Sequence, residues 1–235
     1  MTAPNAAEIQ AIFNRIAPVY DDLNFWLSLG QQNIWKQMAV NWAQPQPGDR
    51  GLDICCGSGD LARLLARRIA PDGEMIGTDF SSELLAVAQK KSSVTLQSNI
   101  DWVQGDALHL PFVDASFDCA TMGYGLRNVT NIPQCLQEIF RVLKPGARAA
   151  ILDFHQPSTP LLQAFQAFYL QSVVVPVAER YGLTDEYAYI MPSLERFPNG
   201  EQQVKLSMDA GFNAIHYPIA GGMMGVLVVT KPEGN

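Results

Sequence analysis

An α/β three-layer sandwich is the fold class this sequence predicts: a seven-stranded, mostly parallel sheet with an antiparallel last strand and helices on both faces. Three observations predict it. Short apolar runs alternate with amphipathic segments between residues 50 and 154, the rhythm of βαβ units. The first run, Arg50 to Cys55, passes directly into the glycine turn Gly57-Ser58-Gly59, from which a helix starts. Two final strand-like runs flank Ala220-Gly221-Gly222-Met223, the signal of a closing hairpin that reverses one strand.

Taken in order, residues 1–46 read as an N-terminal helical cap. Ile9, Ile12, Phe13 and Ile16 recur at helical spacing until Pro18, and a second stripe runs through Leu27, Ile34, Trp35 and Met38. Pro45, Pro47 and Gly48 break this cap from a core at 47–155. There, strands are expected at 50–55, 75–79, 100–104, 117–122 and 147–154. Helices are expected at 60–69, from Ser81 or Ser82 to Lys91, and at 131–143, the last ended by Pro145-Gly146. Residues 156–199 break the rhythm and read as an insertion on the substrate side. Leu161, Phe165, Phe168 and Ser172 mark a helix with an aromatic face; Val173-Val174-Val175-Pro176 and a stretch with Tyr181, Tyr187 and Tyr189 follow. Residues 200–235 close the single domain with a helix over 201–210, capped by Gly211, and hairpin strands at 213–218 and 226–230.

Composition bounds the partners. The 235 residues are 48% hydrophobic, enough to bury a sizeable core. A net charge of −7 with no Lys/Arg-rich run argues against nucleic acid and against a basic patch for anionic lipid. Cys55, Cys56, Cys119 and Cys135 lack C-x-x-C spacing and read as reduced thiols of a cytoplasmic protein. His109, His155 and His216 lie far apart in sequence, so no metal site is expected. The N-terminus lacks the pattern of a secretory signal. The longest apolar run, Val173 to Ala178, falls far short of the roughly 20 residues of a spanning helix. The chain therefore reads as soluble, or peripheral at a membrane surface.

The chemistry concentrates at the ends of the first three strands. Gly57 and Gly59 allow a tight turn and a close ligand, with free helix N–H groups behind them. Asp53 closes strand one, Asp79 ends strand two and Asp106 follows strand three, the places where a nucleoside binds a parallel sheet. Gly57-Ser58-Gly59-Asp60-Leu61-Ala62, with Asp79 as ribose acid, also satisfies the relaxed dinucleotide fingerprint, which keeps a nicotinamide dehydrogenase in contention. Against it, Asp60 in the first helical turn would repel a pyrophosphate and Asp53 adds a second negative group. The ammonium and sulfonium of S-adenosylmethionine tolerate both. Asp106 can accept from the adenine amino group, and Ala107 leaves room for the flat ring. The plain alternative is that these acids only cap helices and turns.

Four motifs carry a resemblance: Leu52 to Leu61; Tyr20-Asp21-Asp22-Leu23-Asn24 with Leu27-Ser28 and Trp35; Gly125-Leu126-Arg127-Asn128-Val129-Thr130; and Arg141 to Gly146. In these the chain resembles, over nearly its whole length, the ubiquinone/menaquinone-biosynthesis C-methyltransferases of the Rossmann-like class I fold. Departures are Cys55 for a glycine of the broader motif, Leu23 for Met, Gln32 for His, Ala147 for Gly, and Asp153-Phe154-His155 where relatives often have Glu. The paired cysteines and Leu-Asp-Phe-His look like the cyanobacterial and plastid branch, which implies a demethylated phytyl naphthoquinol as acceptor; the menaquinone and ubiquinone branches are the alternatives.

The resemblance implies S-adenosylmethionine as cofactor and a lipophilic quinol as partner, and adds Ala62 and Gly123 to the cofactor pocket. It implies an electrostatic role for Arg127 on the forming quinolate. Asn128 would orient the hydroxyl or a bridging water, and Tyr20 would bond the other ring oxygen. The insertion would line a channel for the tail with Phe165, Phe168, Tyr169 and Val173 to Val175, or rest on a bilayer; core packing or a homodimer contact are its plain alternatives. A non-catalytic S-adenosylmethionine-binding scaffold is the reading from another class.

Overall fold

The computed structural model describes residues 5–28, 30–94, 100–183 and 190–234. Tyr187 and Tyr189 lie outside these residues, as do the side chains of Leu23 and Leu27. Three helices precede the sheet: α1 (Ala6–Ile16), α2 (Tyr20–Leu27) and α3 (Gln32–Ala43). Asn5 and Glu8 form a reciprocal capping box at the start of α1. Pro18, which has no N–H to donate, sits in the tight turn Ala17–Val19 that turns the chain into α2.

The core then alternates as expected: β1 (Arg50–Ile54), α4 (Asp60–Ile69), β2 (Glu74–Asp79), α5 (Ser82–Val94), β3 (Ile100–Gln104), β4 (Phe117–Gly123), α6 (Ile132–Val142) and β5 (Leu143–Phe154). Ser81 caps α5, its Oγ accepting from Leu84 N at 3.1 Å. The order in the sheet is β3-β2-β1-β4-β5-β7-β6, with β6 (Asn213–Ile219) and β7 (Met224–Thr230) forming the hairpin. The pairs from β3 to β5 are parallel, and β7 runs antiparallel to both its neighbours.

Side chains alternate between two apolar layers. Ala150, Leu152 and Phe154 of β5 pack with α3 and α4, while Ala149 and Ile151 pack with α6. Both faces of the sheet are therefore covered, as a parallel sheet requires.

Two elements differ from expectation. β5 begins at Leu143, not Ala147, because Pro145-Gly146 does not end the pairing. Gly146 takes φ +80° and the register to β4 slips between Phe117 and Cys119, so the turn is absorbed as an irregularity of the strand. In the second, α7 (Pro160–Tyr169) runs without interruption through a widened i→i+5 turn (Leu170–Val174) into α8 (Val175–Glu179). Pro176, which has no N–H to donate, falls where the widened turn passes into α8.

The joined helix, Pro160–Glu179, has 20 residues and is the one helix among the described residues long and apolar enough to cross a membrane, by length and composition. The expectation from contiguous apolar runs is corrected here: isolated Gln and Ser residues interrupt the run without introducing charge. Two further helices, α9 (Ile190–Arg196) and α10 (Gly200–Asp209), lead back to the hairpin.

Candidate functional site

A cleft opens at the carboxyl ends of β1, β2, β3 and β4, where the strand order reverses between β1 and β4. Gly57, Asp79, Asp106, Ala107, Gly123, Tyr20 and Asn128, seven of the residues singled out above, line it together.

One wall is built for a nucleoside. Asp79 is buried, and its two carboxylate oxygens accept from Gly57 N at 2.8 Å and Ser81 N at 2.9 Å. These bonds fix the glycine turn while leaving each oxygen further lone pairs for a ligand hydroxyl. Gly57 takes φ +55°, and a Cβ there would meet Tyr20 Cε1 at 3.2 Å, so a side chain would enter the cleft wall. Gly59, at φ +83°, caps α4, and a Cβ on it would stand 2.4 Å from Trp102. Asp106 accepts from Leu108 N at 2.9 Å. The buried Thr78 Oγ1, also on a residue of the cleft wall, has no partner among the described residues. Acceptors at the ends of β2 and β3 around a small Ala107 fit an adenosyl group.

Asp53, Gly59 and Ala62 sit one layer behind this wall. Asp53 is fully buried; its Oδ1 accepts from Thr121 Oγ1 at 2.8 Å, and its Oδ2 has no partner among the described residues. It ties β1 to β4 and is not among the residues that line the cleft. Burial pushes its carboxyl up to about 7, with the Thr121 hydrogen bond opposing the shift. A carboxyl raised in the folded state holds its proton there between its ordinary value of about 4 and that value, so stability falls as pH rises through this window. Asp53→Asn removes this contribution. In urea titrations the stability of the variant relative to wild type should increase from pH 5 to pH 8; equal slopes in both proteins would remove Asp53 as their source.

Asp60 does not act as the repulsive charge expected from sequence. Burial works to raise its pKa, but Lys36, Lys91 and Arg63 together hold it below the ordinary value. Lys36 Nζ lies 2.7 Å from it and Arg63 pairs with it across one turn. Its charge is thus offset, and the exclusion of a dinucleotide does not rest on it.

The opposite wall carries the loop after β4. Arg127 is half-buried and paired: its Nη1 donates to Asp153 Oδ1 at 2.5 Å and to Tyr124 O at 3.0 Å, and its backbone N donates to Asp153 Oδ2 at 3.0 Å. The guanidinium also lies over the Phe154 ring, 5.3 Å from its centroid. Asn128 donates to Tyr124 O at 2.9 Å. Tyr20 is half-buried beside Gly57, and burial raises its hydroxyl pKa above the ordinary value, so it remains a donor.

A second cleft adjoins the first. It shares Ile9, Asn128, Val129 and Thr130 with it and adds Arg127, Ile132, Pro133, Phe197, Pro198 and Leu206. None of Phe165, Phe168, Tyr169 and Val173 to Val175 lines either cleft. Leu161, Phe165 and Phe168 are exposed, near Phe25 and Trp26 of α2 through the bond from Tyr169 Oη to Trp26 O.

Sequence reasoning missed Tyr124, Asp153 as the partner of Arg127, and the second cleft. It also placed His155 and His216 apart. The end of β5 and strand β6, with β7 between them, bring their Nε2 atoms to 3.1 Å, and burial, with the second imidazole, lowers His155 to about 3. Among the described residues no group of three or more His, Cys, Asp or Glu is arranged to hold a metal.

Comparison with known proteins bears on this site. A protein of Nostoc punctiforme named 2-phytyl-1,4-naphtoquinone methyltransferase is 62% identical over 226 residues, covering 95% of this chain and 98% of the relative. One of the same name from Synechocystis is 57% identical and covers 98% of both chains. An Arabidopsis thaliana protein named 2-phytyl-1,4-beta-naphthoquinone methyltransferase, chloroplastic, is 49% identical over 95% of this chain and 87% of its own.

Among solved structures, a SAM dependent methyltransferase from Aquifex aeolicus superposes with a TM-score of 0.63 at 16% identity, covering 83% and 88% of the two chains. A Haemonchus contortus phospholethanolamine N-methyltransferase 2 with S-adenosylhomocysteine superposes at 0.67 and 17% identity, covering 87% and 53%. These two show the fold. The profile of the ubiE/COQ5 methyltransferase family matches residues 1–231. The chain belongs to that family and is an S-adenosylmethionine-dependent methyltransferase.

Proposed function

We propose that the enzyme methylates a ring carbon of 2-phytyl-1,4-naphthoquinol, the step that completes the ring of phylloquinone. The observation that carries this reading is one cleft with acidic nucleoside acceptors on one wall and the Arg127-Asn128 loop on the other, in a chain 62% identical to a relative of that name. Asp79, Asp106, Ala107, Gly57 and Gly123 would hold S-adenosylmethionine, with Asp53, Gly59 and Ala62 supporting the turn from behind. When bound, that cofactor supplies an electrophilic methyl group on a positively charged sulfur.

The chain's own residues prepare the acceptor. A ring carbon becomes nucleophilic when the adjacent hydroxyl gives its proton to water, and the quinolate oxygen then needs donors held in place beforehand; once the methyl is attached, the ring hydrogen leaves as a proton and the ring oxygen is reprotonated. Arg127 offers its Nε, which is buried and has no partner among the described residues. Asn128 Oδ1 is likewise buried without a partner there and can accept the hydroxyl proton's hydrogen bond before it leaves. Tyr20 donates to the second ring oxygen. The second cleft takes the tail, since its apolar side chains continue from Asn128; each buried methylene contributes about 0.8 kcal/mol.

The exposed Leu161, Phe165 and Phe168 with Phe25 and Trp26 support peripheral contact with the bilayer that holds such a substrate. No charged residue interrupts the chain from Pro160 to Ala178, which favours uncharged lipid. Phe165→Ser with Phe168→Asp should reduce cosedimentation with phosphatidylcholine vesicles while leaving turnover of a short-tailed acceptor in detergent unchanged. Equal cosedimentation would remove this face from membrane contact.

The acceptor reading is tested by presenting phytyl naphthoquinol and a prenylated benzoquinol together under reducing conditions. The naphthoquinol should be methylated in preference; preference for the benzoquinol would move the enzyme to the ubiquinone branch.

A further inference from the structure

We propose that the Tyr124 hydroxyl is a fourth acceptor-contacting group, donating a hydrogen bond to a ring oxygen of the quinol beside Arg127 and Asn128. The inference rests on the acceptor reading above and adds a residue to it.

Tyr124 belongs to the cleft wall, is 6% exposed, and its Oη is buried with no partner among the described residues. A buried hydroxyl without a partner is costly, so one that persists in a site points to a ligand atom. It does not stand alone. Tyr124 Oη, Arg127 Nε and Asn128 Oδ1 are all buried and unpartnered among the described residues, within five consecutive positions. Two donors and one acceptor are the complement of an aryl hydroxyl, which donates once and accepts through its lone pairs.

The backbone supports the same conclusion. Tyr124 sits at φ +61°, a conformation that bulky residues rarely adopt. Its N donates to Leu152 O at 2.7 Å, and its carbonyl accepts from both Arg127 Nη1 and Asn128 Nδ2. The residue that positions Arg127 and Asn128 thus also brings its own hydroxyl to the site. Its ring stacks on Phe154 with centroids 5.0 Å apart and planes at 25°, and the Arg127 guanidinium lies over that same Phe154 ring. Burial raises the Tyr124 hydroxyl above its ordinary value, with Tyr20 and Asp153 adding to the shift, so it keeps its proton and remains a donor.

Tyr124→Phe tests this, since it keeps the ring stack and the carbonyl and removes only the hydroxyl. With a short-tailed 1,4-naphthoquinol under reducing conditions, kcat/KM should fall about tenfold, the worth of one hydrogen bond to a charged oxygen. The dissociation constant for S-adenosylmethionine should stay within about twofold. The urea midpoint should be unchanged or higher, because the free protein loses no hydrogen bond. Wild-type kcat/KM in the variant would overturn the proposal. So would a parallel loss of cofactor affinity, or a lowered midpoint with intact kcat/KM, which would make the hydroxyl structural. A wild-type enzyme that binds the cofactor yet leaves the naphthoquinol unmethylated would end the acceptor reading and this inference with it.

Discussion

Arg127→Ala is expected to lower turnover by about a hundredfold or more, the usual loss when one preorganised donor is taken from a developing oxyanion. S-adenosylmethionine affinity should be retained, because Arg127 lines the second cleft and not the wall with Asp79 and Asp106. The ion pair complicates the simple experiment. Asp153 is 1% exposed, and removing its guanidinium leaves a buried carboxylate uncompensated, which costs about 3–5 kcal/mol. Turnover is therefore compared in Arg127→Ala with Asp153→Asn, where no charge is stranded, and in Asp153→Asn alone. The double variant should regain most of the lost stability and none of the activity. Equal loss of cofactor binding and turnover would assign Arg127 to the fold or the cofactor instead.

Asp79→Asn is expected to weaken S-adenosylmethionine about 10- to 100-fold, the range for one charge-assisted hydrogen bond. The substitution is nearly isosteric, yet it turns one acceptor into an N–H facing the N–H of Gly57 or Ser81. The glycine turn loosens as the ligand contact is lost, so both effects act on affinity. Turnover at saturating cofactor should fall less than affinity, since Asp79 touches no acceptor atom. Calorimetry separates the two quantities. An unchanged dissociation constant would take Asp79 out of the cofactor wall.

Much of this was legible in the sequence because parallel strands display their chemistry at one end. Asp79 ends its strand and Asp106 follows its strand after Gly105, so their position on the cleft followed from strand order alone. Asp53 followed the same pattern but does not line the cleft, because a side chain within a strand points to a face and not to the strand's end.

What stayed hidden depends on contacts distant in sequence. Asp60 looked like an isolated anion until the fold brought Lys36 and Lys91 beside it. Arg127 looked like a free cation until β5 supplied Asp153. Pro145-Gly146 signals a stop to any local reading, whereas pairing with β4 carries the strand past it. Tyr124, one position before a recognised motif, carries no periodic or compositional mark. Its positive φ and unpartnered hydroxyl exist only in the folded chain.

The central claim is that a methyl group passes from S-adenosylmethionine to carbon, replacing a ring hydrogen of a naphthoquinol. Incubation of the wild-type protein with methyl-labelled S-adenosylmethionine and reduced 2-phytyl-1,4-naphthoquinol, followed by mass analysis of the reoxidised product, tests it most directly. The account predicts a quinone heavier by one labelled methyl in place of one hydrogen, with the label on the ring and stable to ether cleavage. An unlabelled quinone, or a label carried on oxygen, would contradict it.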